Sequence, residues 1–125
     1  VEHLVPLSTQ TIELLESLSK ISGEGELLFP SVKSRSESMS DNTMRQAIFR
    51  LGYDGKTAGK SKAVPHGFRA TASSILNEEG FNPDAIERQL AHQERNGVRA
   101  AYTHHARYLK ERKVMMQWWA DYLYQ

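Results

Sequence analysis

The stretch VPHGFRATASSILNEEGFNPDAIERQLAH, residues 64–92, decides how this chain folds. Apolar residues recur at helical spacing, and the punctuation is explicit. A helix is expected from around His66 to Gly80, where glycine stops it. Asn82 followed by Pro83 is a cap and a first helical position, so a second helix should carry DAIERQLAH. QERNG, residues 93–97, breaks it, and VRAAYTHH then reads as a short helix or turn.

Outward from that stretch the same signals repeat. TIELLESLSKIS follows a Ser8 or Thr9 cap, spaces Ile12, Leu15 and Leu18 or Ser19 helically, and closes at Gly23. Ser40 precedes DNTMRQAIFRLG, with Met44, Ala47, Ile48 and Leu51 on one stripe and Gly52 as terminator. ELLFP is a buried loop or a brief strand, KSRSESMS is loop, and YDGKTAGKSKAV is a basic loop or loose hairpin. The segment ARYLKERKVMMQWWADYLYQ forms a long amphipathic helix, with Tyr108, Val114 or Met115, Trp118 and Leu123 toward one side. HLVPL near the start reads as the end of a strand whose partner is missing. The expected fold class is therefore mainly α with a few short β-strands.

The 125 residues suffice for one domain with a core. There is no cysteine, so disulfides and thiolate metal sites are excluded. No apolar run reaches the roughly 20 residues that span a bilayer, and no signal segment opens the chain. A cytoplasmic protein without membrane association is expected. Net charge is only +1, but it is unevenly spread. From Arg88 to Lys113 there are seven Lys or Arg against two Glu, a local cationic segment that would equally be a solvated helix face.

His66 and Arg69 lie one helical turn apart at the start of a helix. Their Cβ atoms should be about 5–6 Å apart on one face. Two cationic groups placed there beside free backbone N–H groups suit a phosphate, which arginine grips with its planar fork. The pair would also be explained by a helix cap and an ordinary ion pair from Arg69 to Glu78, Glu79 or Glu87. His92 ends the next helix, where the dipole favours a protonated imidazole, and Tyr102 follows ten residues later. A tyrosine phenol becomes a competent nucleophile beside cations that favour its phenolate. It would otherwise be a core or interface aromatic. His104 and His105 are adjacent on the chain and point apart, which argues against a metal site.

His66-x-x-Arg69, then 22 intervening residues to His92 in LAH, with Tyr102 ten positions after His92, resembles the C-terminal catalytic half of the tyrosine recombinases, or phage integrases. VPHGFRATASSILNEEGFNPDAIERQLAHQERNGVRAAY and YLKERKVMMQWWADYL look like the integrases of satellite-type prophages and genomic islands, and HLVPLS resembles the end of the β-hairpin before the first helix. The resemblance covers nearly the whole chain. It implies a site-specific recombinase that cleaves and rejoins DNA through a 3′-phosphotyrosyl link, for integration or excision of a prophage or genomic island. Tyr102 would be the nucleophile and Arg69 the group that holds non-bridging oxygens. His66 would be a donor or proton acceptor near the tyrosine, and His92 a second donor to the scissile phosphate. No metal or other cofactor is implied. The partners implied are double-stranded attachment sites and further copies in a tetramer on DNA. Lys60, Lys62, Arg95 and Arg99 are the candidate contacts to the DNA backbone, although the lysine loop would also serve as solvated surface.

Two departures bear on this. Many family members have LGH where this chain has LAH; Ala91 fits unless that position needs a positive φ. The family also uses an upstream arginine and a hairpin lysine that acts as general acid, and Lys56, Lys60 and Lys62 lie in the wrong segment to supply the latter. Residues 1–125 are therefore expected to form part of a catalytic domain, with those groups and the N-terminal DNA-binding regions outside it. A non-catalytic DNA-binding module and a helical interaction domain are the alternatives. A type IB topoisomerase shares the chemistry, but the LAH segment and the tail look like integrase. Residues 1–125 alone should form little or no covalent adduct with a nicked suicide DNA substrate, as read by denaturing gel electrophoresis.

Overall fold

The computed structural model describes residues 2–23, 25–92, 97–98 and 107–125. Five helices are named among them: α1 (Thr9–Ser22), α2 (Asp41–Arg50), α3 (Pro65–Glu78), α4 (Pro83–Gln89) and α5 (Leu109–Leu123). The chain divides into two compact units, residues 1–12 with 71–125, and residues 13–70. The helical class expected from periodicity is what the structure has. VRAAYTHH, apart from Val98, lies outside the described residues.

The strand content is smaller than expected. Among the described residues it reduces to one isolated antiparallel bridge, Pro30 with Ser38, so ELLFP supplies a single bridge. Residues 2–8 carry no strand. A strand is held by partner N–H and C=O groups, whereas the Leu4 carbonyl here accepts from the Arg112 guanidinium at 2.5 Å. The lysine loop is likewise ordered without a strand. Asp54 accepts from the amides of Lys56 and Thr57 at 2.9 and 3.0 Å, and the Ala63 amide bonds the Tyr53 carbonyl.

The helix ends follow the sequence signals closely. Ser8 is the cap of α1: its hydroxyl accepts from the Thr11 amide at 3.1 Å. Asn82 caps α4 by accepting from the Asp84 amide at 3.0 Å, with Pro83 in the first helical position. Ser40 takes the cap position of α2, but its hydroxyl pairs with that of Thr43 instead of a backbone amide. Both α2 and α3 stop at a left-handed glycine, Gly52 at φ 98° and Gly80 at φ 92°. In each case the glycine amide and the one after it reach back to carbonyls of the last turn: Gly52 to Phe49 and Tyr53 to Ile48, Gly80 to Asn77 and Phe81 to Leu76.

In the first unit, Leu76 of α3, Ile86 of α4 and Met115 of α5 are buried together. Phe81, Leu90, Met116, Trp118 and Trp119 pack against them. Phe81 meets Trp118 edge-on at 5.4 Å, and Tyr122 stacks on both tryptophans. Of the two candidates on the α5 stripe, Met115 is buried and Val114 is exposed. Leu123, also expected on that side, is exposed. The tryptophans are half-buried in this core, so the aromatic tail is engaged within its own chain.

In the second unit the helical spacing is right but burial does not follow from it. Leu14, Ile21, Phe29, Met44, Leu51 and Phe68 are all exposed. Among the described residues every fully buried side chain belongs to the first unit.

Arg112 belongs to the cationic segment of the sequence, yet it is 1% exposed. It lies on the inward stripe of α5, one turn before Met115, and donates to three uncharged oxygens. These are the Gln89 side chain at 2.9 Å, the Arg107 carbonyl at 3.0 Å and the Leu4 carbonyl. Burial, and secondarily the charge of Arg88, push its pKa below the usual arginine value. Its role is internal: one planar group ties the N-terminal segment, the end of α4 and the approach to α5. A second polar seam joins residues 9–10 to α5. Gln117 accepts from the Thr9 amide at 3.0 Å and donates to Gln10, which donates to Asp121 at 2.7 Å.

Replacing Arg112 with Met should lower unfolding free energy by about 2–4 kcal/mol, since three bonds to a charged donor, each worth about 1.5–3 kcal/mol, are lost while the cost of desolvating the guanidinium is recovered. Urea denaturation of the folded chain measures this.

Candidate nucleic-acid and phosphate site

Pro65 opens α3 in the position that needs no amide donor, and the Gly67 amide bonds the Val64 carbonyl at 2.9 Å. His66 and Arg69 follow in the opening turns of this helix, and both are exposed. The three-residue spacing thus puts an imidazole and a guanidinium on one accessible face. The basic loop immediately before α3 is built in detail. Asp54 accepts from two amides and the Thr57 hydroxyl, and these bonds, the Lys56 amide foremost, hold its carboxyl below the usual aspartate range. Lys60 folds back on α2: its ammonium donates to the Leu51 carbonyl at 2.7 Å and sits 5.0 Å from the Tyr53 ring centre. Lys62 packs its stem beside Gly55, where an added Cβ would meet it at 3.3 Å. Both lysines remain exposed.

His92 is set by how α4 ends. The helix stops at Ala91, which adopts φ 56°. The Ala91 amide bonds the Arg88 carbonyl at 3.1 Å and the His92 amide bonds the Glu87 carbonyl at 2.9 Å. This is the same left-handed stop that glycine provides at Gly52 and Gly80, here made by alanine. The position does need a positive φ, so the LAH departure carries a conformational cost. The turn brings the His92 ring back over the helix, where Nδ1 donates to the Glu87 carboxylate at 2.7 Å. Glu87, one of three carboxylates considered for Arg69, pairs with His92. The sequence reading did not find this pair, because it rests on a left-handed stop at Ala91 that stacks residue 92 on residue 87.

Tyr102, Arg95, Arg99, His104 and His105 lie outside the described residues. Tyr108, six residues beyond Tyr102, adopts φ 51° at the cap of α5, and its carbonyl accepts from the Arg112 amide at 2.8 Å. Among the described residues, no group of three or more His, Asp or Glu is arranged to hold a metal ion, and no helix is long and apolar enough to cross a membrane.

The model of the phage integrase family matches residues 1–108. The chain belongs to the phage integrase family. It is 53% identical over 98% of its length to the integrase of Enterobacteria phage P4, covering 27% of that protein. It is 44% identical over 96% of its length to prophage integrase IntA of Escherichia coli strain K12, covering 27% of it. It is 43% identical over 97% of its length to the integrase of Shigella phage Sf6, covering 30% of it. The expected likeness to prophage integrases is therefore borne out, and the chain spans less than a third of the length of these relatives. No solved structure gives a significant match.

The Ala91→Gly variant of this family member should be more stable by about 0.5–1 kcal/mol. Relief of a left-handed alanine gains about 1–2 kcal/mol, and the extra freedom of glycine in the unfolded chain returns about 0.4–1 kcal/mol. The midpoint of urea denaturation reports the difference.

Proposed function

We propose that this chain is part of the catalytic domain of a site-specific DNA recombinase that integrates or excises a prophage or genomic island. Its membership of the phage integrase family, over residues 1–108, is the observation that supports this most directly. Its similarity to proteins named integrase and prophage integrase supports it further.

In this reading the Tyr102 phenolate oxygen attacks a phosphodiester phosphorus. The new P–O bond to tyrosine forms as the P–O5′ bond breaks, and the 5′-oxygen leaves as a hydroxyl after taking a proton. In the family that proton comes from a hairpin lysine upstream of the matching segment. Rejoining is the reverse: a 5′-hydroxyl attacks the 3′-phosphotyrosine and releases the phenol, so the bond energy is conserved through the covalent link. Arg69 binds two non-bridging oxygens and offsets the charge that grows in the pentacoordinate transition state. His66 lies on the same helix face and serves the attacking tyrosine, either as donor or as proton acceptor. His92, in its imidazolium form, donates from Nε2 to the phosphate. Lys60, Lys62, Arg95 and Arg99 contact the DNA backbone, giving affinity and register but no sequence choice. The substrates are double-stranded attachment sites, bound by a tetramer of the full-length protein, and no metal is used.

The exposure of His66, Arg69 and His92 fits this reading, because a phosphate needs open access to all three. In the full-length protein, Arg69→Ala should slow cleavage of a nicked half-site by roughly 10²–10³-fold. Its dissociation constant for the same DNA should change less than about threefold. Tyr102→Phe should abolish the covalent adduct, and mapping the wild-type adduct should find Tyr102 modified. Equal losses of binding and cleavage in Arg69→Ala would instead favour a DNA-binding module without catalysis.

A further inference from the structure

Two successive helices end in the same backbone turn but fill it differently. At α3 the left-handed residue is Gly80, and the residue after it, Phe81, bonds its amide to the Leu76 carbonyl and packs with the cluster that holds Leu76. An apolar contact between those two positions is the ordinary companion of this turn. At α4 the left-handed residue is Ala91, and the same two positions hold His92 and Glu87, joined at 2.7 Å.

Stability does not account for the exchange. The two side chains are 42% and 48% exposed, and a pair so open to water contributes about 0–1 kcal/mol. An apolar pair would close the turn as well. The turn also holds a strained alanine in order to bring residue 92 back over residue 87. What the pair does accomplish is directional. With its amide bound to the Glu87 carbonyl and its Nδ1–H bound to the Glu87 carboxylate, His92 is held at both backbone and ring. The imidazole plane is then set, and Nε2 is the ring nitrogen left to meet another group.

We propose that Glu87 is the positioning residue of His92. It fixes the ring orientation and engages Nδ1, so that Nε2 is the atom presented to a phosphate oxygen. The inference rests on the reading of His92 as a phosphate donor. Glu87 acts through His92 and makes no contact with DNA, because a carboxylate against a phosphate is repelled.

The test uses the full-length protein and a nicked suicide half-site. It measures the single-turnover cleavage rate, the dissociation constant for DNA and the melting temperature. Glu87→Met and Glu87→Ala both remove the acceptor, so a folding defect peculiar to one does not decide the outcome. Each should lower the cleavage rate by about 10–100-fold, the usual effect of losing a partner that orients a histidine. Affinity for DNA should change less than about threefold, and the melting temperature should hold. Glu87→Gln keeps an oxygen that accepts from Nδ1–H and should stay within about fivefold of wild type. In a His92→Ala background, Glu87→Met should cost nothing more. Wild-type cleavage by Glu87→Met and Glu87→Ala, beside a slow His92→Ala, overturns this inference and leaves the function standing. A Glu87→Met defect that persists undiminished without His92 overturns it as well. Wild-type cleavage by His92→Ala removes the role assigned to His92, and this inference with it.

Discussion

A non-glycine residue held at φ 56° closes α4, and the placement of His92 depends on it. The dependence runs inward from there. The last carbonyls of α4 need donors, and the amides of Ala91 and His92 supply them only if the chain turns left-handed. The helix itself stays in place because Ile86 is buried against Leu76 and Met115. Removing such a side chain from water is worth about 1.5–3 kcal/mol, enough to offset the strain at Ala91. An exposed imidazole thus takes its position from a buried core two turns away.

Arg112 braces the same helix near its C-terminal end. An arginine at an inward helical position is costly to desolvate, and this one meets only uncharged oxygens among its described acceptors. The guanidinium fork suits the task because its three nitrogens reach acceptors on three separate segments. Methionine in its place would fill the volume and leave those oxygens unanswered. The cost is met by what the group connects: the end of α4, beside His92, and the residue from which the chain enters α5.

The second unit follows a different logic. Its order rests on local hydrogen bonding rather than on burial. Asp54 gathers two amides and a hydroxyl, Lys60 caps the carbonyl end of α2, and Gly52 closes that helix. The lysine loop is therefore preformed close along the chain to His66 and Arg69, and its Lys60 charge is already shared with a carbonyl and an aromatic ring. Several large apolar side chains of α1 and α2 stay exposed although their spacing is helical.

Much of this was legible in the residues themselves. Ser8, Asn82–Pro83, Gly23, Gly52 and Gly80 mark helix ends, because caps and left-handed stops depend on chemistry a few residues long. The His66–Arg69 pair and its distance to His92 were equally plain. The strand at the start was not, because pairing depends on which distant groups are available, and Leu4 met a guanidinium. Nor could charge alone say that Arg112 points inward while Lys110 and Lys113, on the same helix, are exposed. The sequence by itself determined the helices, their boundaries and the identity of the chemical groups, since those follow from local sterics and hydrogen bonding. Only the tertiary structure decided that α4 is clamped by Arg112, that Ala91 takes a glycine's conformation, and that Glu87 belongs to His92. Those outcomes depend on which backbone and side-chain groups meet once the core has closed.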